Sequence, residues 1–196
     1  WEVLRKINFY LAHSANCEDE DARAHYDGVA RFFRAYFYFL KVRNYGDVPW
    51  YGQVLNSDDK ELLTKPRDSR ELVVDSIIAD LDFAIANLRD VRTAAEINKW
   101  TALALKSRVC LFEGTFRKYH AGKTFNPDNL PWEELLETAA DAAEELMENS
   151  GYSLHTDGEQ PYRSLFASQF ANPSEYIWAR NFSVDLNIKN NANAWS

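Results

Sequence analysis

The residues best suited to touch a ligand follow a tight turn. Trp50 and Tyr51 come directly after Gly46-Asp47-Val48-Pro49 and head a loop to Arg67 that is rich in Asn, Asp and Lys. An indole face held there can stack on a pyranose ring, while Gln53 and Asn56 hydrogen-bond its hydroxyls. These four side chains form the candidate ligand-binding set. The competing reading folds Trp50 back onto the preceding helix as part of the core. Trp1, Trp132 and Trp195 are weaker candidates: a helix start, a hydrophobic contact and a chain end.

Nothing in the chain carries a catalytic or metal-binding pattern. His13, His25, His120 and His155 are scattered and read as surface or packing residues. There is no Ser-His-Asp context, nucleophile elbow or phosphate-binding loop. With 30 acidic residues some carboxylate pair is always available, and none is singled out for glycoside hydrolysis. The run Glu18 to Asp21 lacks the sixth-position Gly and twelfth-position Glu of a calcium loop, and reads as carboxylates at a helix N-terminus. Cys17 and Cys110 have no CxxC pairing and no His at ligand spacing, so they read as two lone thiols. The expectation is no catalytic residue, no metal and no cofactor.

Charge narrows the partners further. The 22 basic and 30 acidic residues give a net charge of −8, with no basic stripe to replace phosphate counterions, which weighs against a nucleic acid. No apolar run approaches the ~20 residues that span a bilayer. Aromatic content of 14% means a dense core or surfaces for flat apolar faces such as sugars. The chain starts WEVLRKINFY without an initiator Met, and both ends are expected to be cuts through a longer protein.

The elements that must position the ligand-binding loop read as helices. Val29 to Tyr45 runs without Gly or Pro; Val29, Phe33, Phe37, Leu40 and Asn44 fall at helical spacing, as do Phe32, Tyr36 and Phe39. So wide an apolar surface requires cover on more than one side. Arg31, Arg34, Tyr38 and Lys41 are expected to form its one wet stripe. Gly46 is placed for a left-handed cap, and Pro49 keeps the helix from restarting. Before it, Trp1 to about Asn16 forms a first helix with Val3, Leu4, Ile7, Tyr10 and Leu11 inward.

After it, Asp68-Ser69-Arg70-Glu71 reads as a capping box that starts a ladder of Val74, Ile77, Ile78, Leu81, Ile85 and Leu88. Asn98 caps a helix from Lys99 to about Phe116. Pro131 lies in the first turn of the next, whose Trp132, Leu135, Leu136, Ala139, Ala143 and Leu146 face inward until Gly151 ends it. A short strand is expected over Tyr176 to Phe182. On the Lys99 helix, Lys99, Lys106 and Glu113 stack as the wet side. That places Arg108 on the packed side, where it either snorkels past its neighbours to the surface or, buried, needs a partner, with Asp75, Asp80 and Asp82 as the candidate carboxylates.

These segments, in their order, carry a resemblance. FFRAYFYF running into YGDVP, then KPRDSRELVVDSIIADLDFAI, KWTALALKSRVCLFEG and YRSLFASQFANPSEYIWARNF together resemble the SusD/RagB family of glycan-binding outer-membrane lipoproteins. The likeness covers nearly the whole chain, as the N-terminal, tetratricopeptide-like part of such a protein. It implies one all-α domain over residues 1–196, built of antiparallel helix pairs with long intra-pair loops and little or no sheet. It also implies a non-enzymatic role at the outer-membrane surface: oligosaccharide bound and delivered to a SusC-like TonB-dependent transporter. The membrane would be reached only through a lipid anchor outside this chain. The helix pairs alone leave a protein-interaction module open, and more distantly an all-helical glycosidase.

Overall fold

The computed structural model describes residues 1–124, 126, 129–156, 158–167 and 174–180. Among them are seven α-helices and no strand: α1 Glu2–His13, α2 Glu20–Tyr45, α3 Lys60–Leu63, α4 Arg70–Asn87, α5 Lys99–Tyr119, α6 Glu133–Asn149 and α7 Pro161–Ala167. The all-α expectation holds. The part of the expected strand that is described, 176–180, is bend and coil, and Asn181 and Phe182 lie outside the described residues.

Local chemistry explains most boundaries. Asp19 accepts the Ala22 N–H at 2.9 Å and caps α2, so the acidic run sits at a helix start, where the dipole favours it. Gly46 ends α2 with φ +69°, a backbone region open to glycine and rare for other residues. Asn98 caps α5 by accepting the Thr101 N–H. At α4 the cap is Ser69, accepting the Leu72 N–H, so no reciprocal carboxylate completes a capping box. Asp68 is engaged elsewhere. Pro131 stands just before α6 rather than in its first turn, and its carbonyl accepts from Arg117.

The helices pair antiparallel. The start of α4 meets the end of α2, where Arg70 reaches the Val42 carbonyl. The Arg89 N–H, just past the end of α4, reaches His25 near the start of α2. Phe32, Ala35, Tyr38, Phe39 and Val42 of α2 fill the core with Val73, Val74, Ile77 and Leu81 of α4 and Ala102, Leu105 and Val109 of α5. The pair α5 and α6 closes on Trp100, Leu103 and Ala142, a smaller cluster. Gly114 permits that approach: a Cβ there would stand 2.7 Å from Leu136 Cδ2.

Three expected faces are turned otherwise. On α2, Arg34 is buried and Tyr38 is 0% exposed, while Tyr26, Phe33 and Tyr45 face out. On α1 the inward residues are Leu4 and Asn8, and Val3 is 60% exposed. On α5 the stripe read as wet is packed: Glu113 is 1% exposed, Lys106 bridges Asp82 and Lys99 bridges Glu145. Arg108 is exposed and pairs with none of Asp75, Asp80 or Asp82. On α2 and α5 periodicity found the stripe but not which side a neighbour's opposite charge would cover.

Candidate functional site

The site begins with a buried ion pair. Arg34 on α2 grips Asp80 on α4 with two hydrogen bonds, Nε to Oδ2 at 2.6 Å and Nη2 to Oδ1 at 2.7 Å. Its remaining donor, Nη1, reaches Asn8 Oδ1 of α1 at 3.3 Å and the Gly52 carbonyl at 3.4 Å. Oriented in this way, Asn8 donates its amide to the carbonyls of Tyr51 (2.8 Å) and Gln53 (3.0 Å). One chain of contacts thus ties α4, α2 and α1 to the loop that heads the candidate set. A charged pair out of water survives because its geometry is bidentate and its spare donor is satisfied.

A second set of bonds pins the same loop from behind. The Tyr38 hydroxyl donates to the Pro49 carbonyl (3.3 Å) and accepts the Tyr51 N–H (2.7 Å), and burial pushes that phenol above its ordinary range. Asp68 accepts the Trp50 N–H and the Lys65 ammonium, both at 2.6 Å, and Lys65 also donates to the Trp50 carbonyl. Burial alone would raise the Asp68 carboxyl. The bonds from Lys65 and Trp50 outweigh it and hold the group below its usual value. The Tyr51 hydroxyl donates to the Leu62 carbonyl at 3.0 Å, on the short helix α3.

Between this loop and α1 lies a cleft of about 620 Å³, lined among others by Trp1, Leu4, Arg5, Asn8, Tyr51 and Gln53. That volume is within the ~300–1,000 Å³ usual for small-ligand sites. Trp1 and Tyr51 meet edge to face, 5.7 Å apart and inclined at 71°. The walls are mostly apolar, with a guanidinium, two amides and the Glu2 carboxylate at intervals. Such a lining suits a ring with one apolar face and a hydroxylated edge.

Of the four candidate residues, Tyr51 and Gln53 line this cleft. Trp50 stands half-buried behind it, its ring 4.2 Å from that of Tyr38 and Arg34 5.4 Å from its centroid. Asn56 is exposed, and its N–H donates to Asp59 at 2.7 Å. Trp1, Arg5 and Asn8 are lining residues that sequence reasoning did not select. Asn8 had a signal, a lone amide amid the apolar positions of α1; Trp1 was set behind Trp50 as a helix start, and Arg5 had no signal. Among the described residues no group of three or more His, Cys, Asp or Glu side chains could hold a metal ion, and no helix is long and apolar enough to cross a membrane.

Comparison with known proteins agrees with this architecture. The family model SusD-like, described as starch-binding and associating with the outer membrane, matches residues 2–111, and the chain belongs to this family. A SusD-like protein of Bacteroides ovatus is 26% identical over 97% of this chain and 35% of its own length. SusD-like protein P38 of Formosa agariphila is 29% identical over 75% of this chain and 25% of its own. The chain therefore spans between a quarter and about a third of these relatives. A SusD superfamily structure from Bacteroides thetaiotaomicron shares the fold with TM-score 0.72 at 20% identity, covering 94% of this chain and 38% of that one. Another solved structure, which contains a xylogluco-oligosaccharide, has TM-score 0.62 at 25% identity, covering 78% of this chain and 28% of the other.

Proposed function

We propose that the chain is the helical part of a protein that binds oligosaccharide at the outer-membrane surface and passes it to a SusC-like TonB-dependent transporter, without bond-making chemistry of its own. A lipid anchor outside this chain would hold it there. The observation that carries the reading is the cleft beside α1, in a chain whose family is described as starch-binding. Tyr51 and Trp1 supply aromatic surface; Gln53 and Arg5 supply hydroxyl partners, and Asn8, its amide spent on the loop carbonyls, holds that surface in place. Trp50 and Asn56 belong to the same loop. Trp50 contributes by backing it, and Asn56 by extending its polar rim toward a longer chain of sugars.

Affinity electrophoresis through gels containing neutral polysaccharides tests this. Retardation of the wild type is expected, abolished in Tyr51→Ala with the helical circular dichroism spectrum intact. Retention of mobility in every polysaccharide, or sugar products released from them, would overturn the reading.

A further inference from the structure

We infer that the cleft between the C-terminal ends of α2 and α5 is a second subsite, one that takes an anionic sugar ring bearing a carboxylate or a sulfate. The inference rests on the glycan-binding reading above and names a ligand class for it. This cleft encloses about 450 Å³; Arg43 and Tyr45 stand on one side, Arg67 on another, and Phe116 and His120 close it.

Arg43 and Arg67 are both exposed, and neither forms an ion pair among the described residues. One carboxylate, Asp47, also lines the cleft and is exposed. Glu113 is held by Arg70 and Arg117, and Asp47 accepts the Arg70 N–H at 2.9 Å. In a chain of net charge −8, a cleft with two unpaired guanidinia against one carboxylate runs against the average.

Cations near helix C-termini often serve to cap the last carbonyls and complement the dipole. Here one terminal carbonyl on each helix is met by other groups, and neither Arg43 nor Arg67 takes that part. The Val42 carbonyl accepts from the Gly46 N–H (2.9 Å) and Arg70 Nη1 (3.4 Å). The Phe116 carbonyl accepts from the His120 N–H (3.0 Å) and bonds its ring Nδ1 (2.9 Å). Arg43 and Arg67 are thus left with donors for a ligand. A guanidinium presents a planar fork that matches carboxylate or sulfate oxygens in pairs. Tyr45, 63% exposed at the rim, adds a flat face for the sugar ring. A neutral sugar would gain only that face.

The test uses isothermal titration of the whole chain with three oligosaccharides of equal length: a neutral glucan, a uronate and a sulfated glucan. The acidic ligands are expected to bind at least tenfold more tightly than the neutral one, with affinity falling as salt rises. The double variant Arg43→Gln/Arg67→Gln should lose that tenfold advantage, keep its affinity for the neutral glucan and keep its melting temperature. Whichever acidic ligand binds better identifies the anion, and either supports the assignment. Equal binding of neutral and acidic ligands, or unchanged acidic binding in the double variant, overturns the anionic subsite while glycan binding stands. If no oligosaccharide of any class binds, both fall together.

Discussion

Trp50 and Tyr51 are neighbours in sequence and part ways in the fold. Tyr51 opens onto the cleft, while the Trp50 ring lies over Tyr38 with its backbone bonded on both sides. Trp50→Ala should therefore destabilise by roughly 2–3 kcal/mol, short of the ~3–5 kcal/mol for a fully buried ring. Urea unfolding measures it, and a change below ~0.5 kcal/mol would show the indole to be surface rather than support. Arg34 invites a sharper expectation. Arg34→Met leaves Asp80 only the more distant Arg31, at 3.8 Å, and also removes the donor that orients Asn8, with a cost of about 3–5 kcal/mol. Arg34→Met/Asp80→Leu should recover most of that loss, because no buried charge remains unpaired at the site and Arg31, 36% exposed, is solvated without Asp80. If the double variant is no more stable than the single one, Arg34 matters for something other than its ion pair.

At the scale of elements, α5 shows how close packing selects residues. It is pressed between α4 and α6, and Gly114 faces Leu135 and Leu136 with no room for a methyl group. Gly114→Ala raises helix propensity by ~1 kcal/mol, yet overpacking costs ~1–3 kcal/mol. A Cβ at 2.7 Å from the Leu136 side chain decides for the second effect, and a net loss of ~1–2 kcal/mol is expected in thermal melts. Adding Leu136→Ala relieves the clash, so the two changes should combine less than additively. Strict additivity would mean that the helices have moved apart instead. The same crowding accounts for Cys110, whose thiol burial pushes to about 11. Maleimide at neutral pH should label exposed Cys17 quickly and Cys110 only when the fold opens.

For the molecule as a whole, the seam between α2 and the segment after α4 carries a pH response. His25 Nδ1 accepts the Arg89 N–H at 3.3 Å, so the seam needs the neutral ring. Burial, then the charge of Arg89, lowers the His25 pKa from its ordinary 6.5, against a smaller opposing pull from Glu96. The unfolded chain therefore takes up a proton first as pH falls. Stability from this group is complete above pH 6.5 and is lost from there down toward the folded value. Wild type should lose more melting temperature between pH 7.5 and 5.5 than His25→Asn, whose amide oxygen can accept the same N–H without titrating. Equal losses would exclude His25 as the source.

The class of fold and most of the caps are legible in the chain alone, because these depend on local periodicity and on side chains three residues from their partners. Val74, Ile77, Leu81 and Leu88 lie where their spacing puts them, and Asn98 caps the helix it precedes. It also carried enough pattern in order to point to the family. Which charged stripes are dry depends on contacts between distant segments. Arg34 meets Asp80 46 residues on, and Arg70 meets Glu113 43 residues on; both become core, whereas Arg108, with no such partner, stays in water. The cleft belongs to the same class of fact. Trp1, Asn8 and Tyr51 line it together because α1 lies along the loop after α2. A periodic pattern fixes that a face is covered; what covers it is set by residues far along the chain, and a polar side chain takes its place from that distant partner.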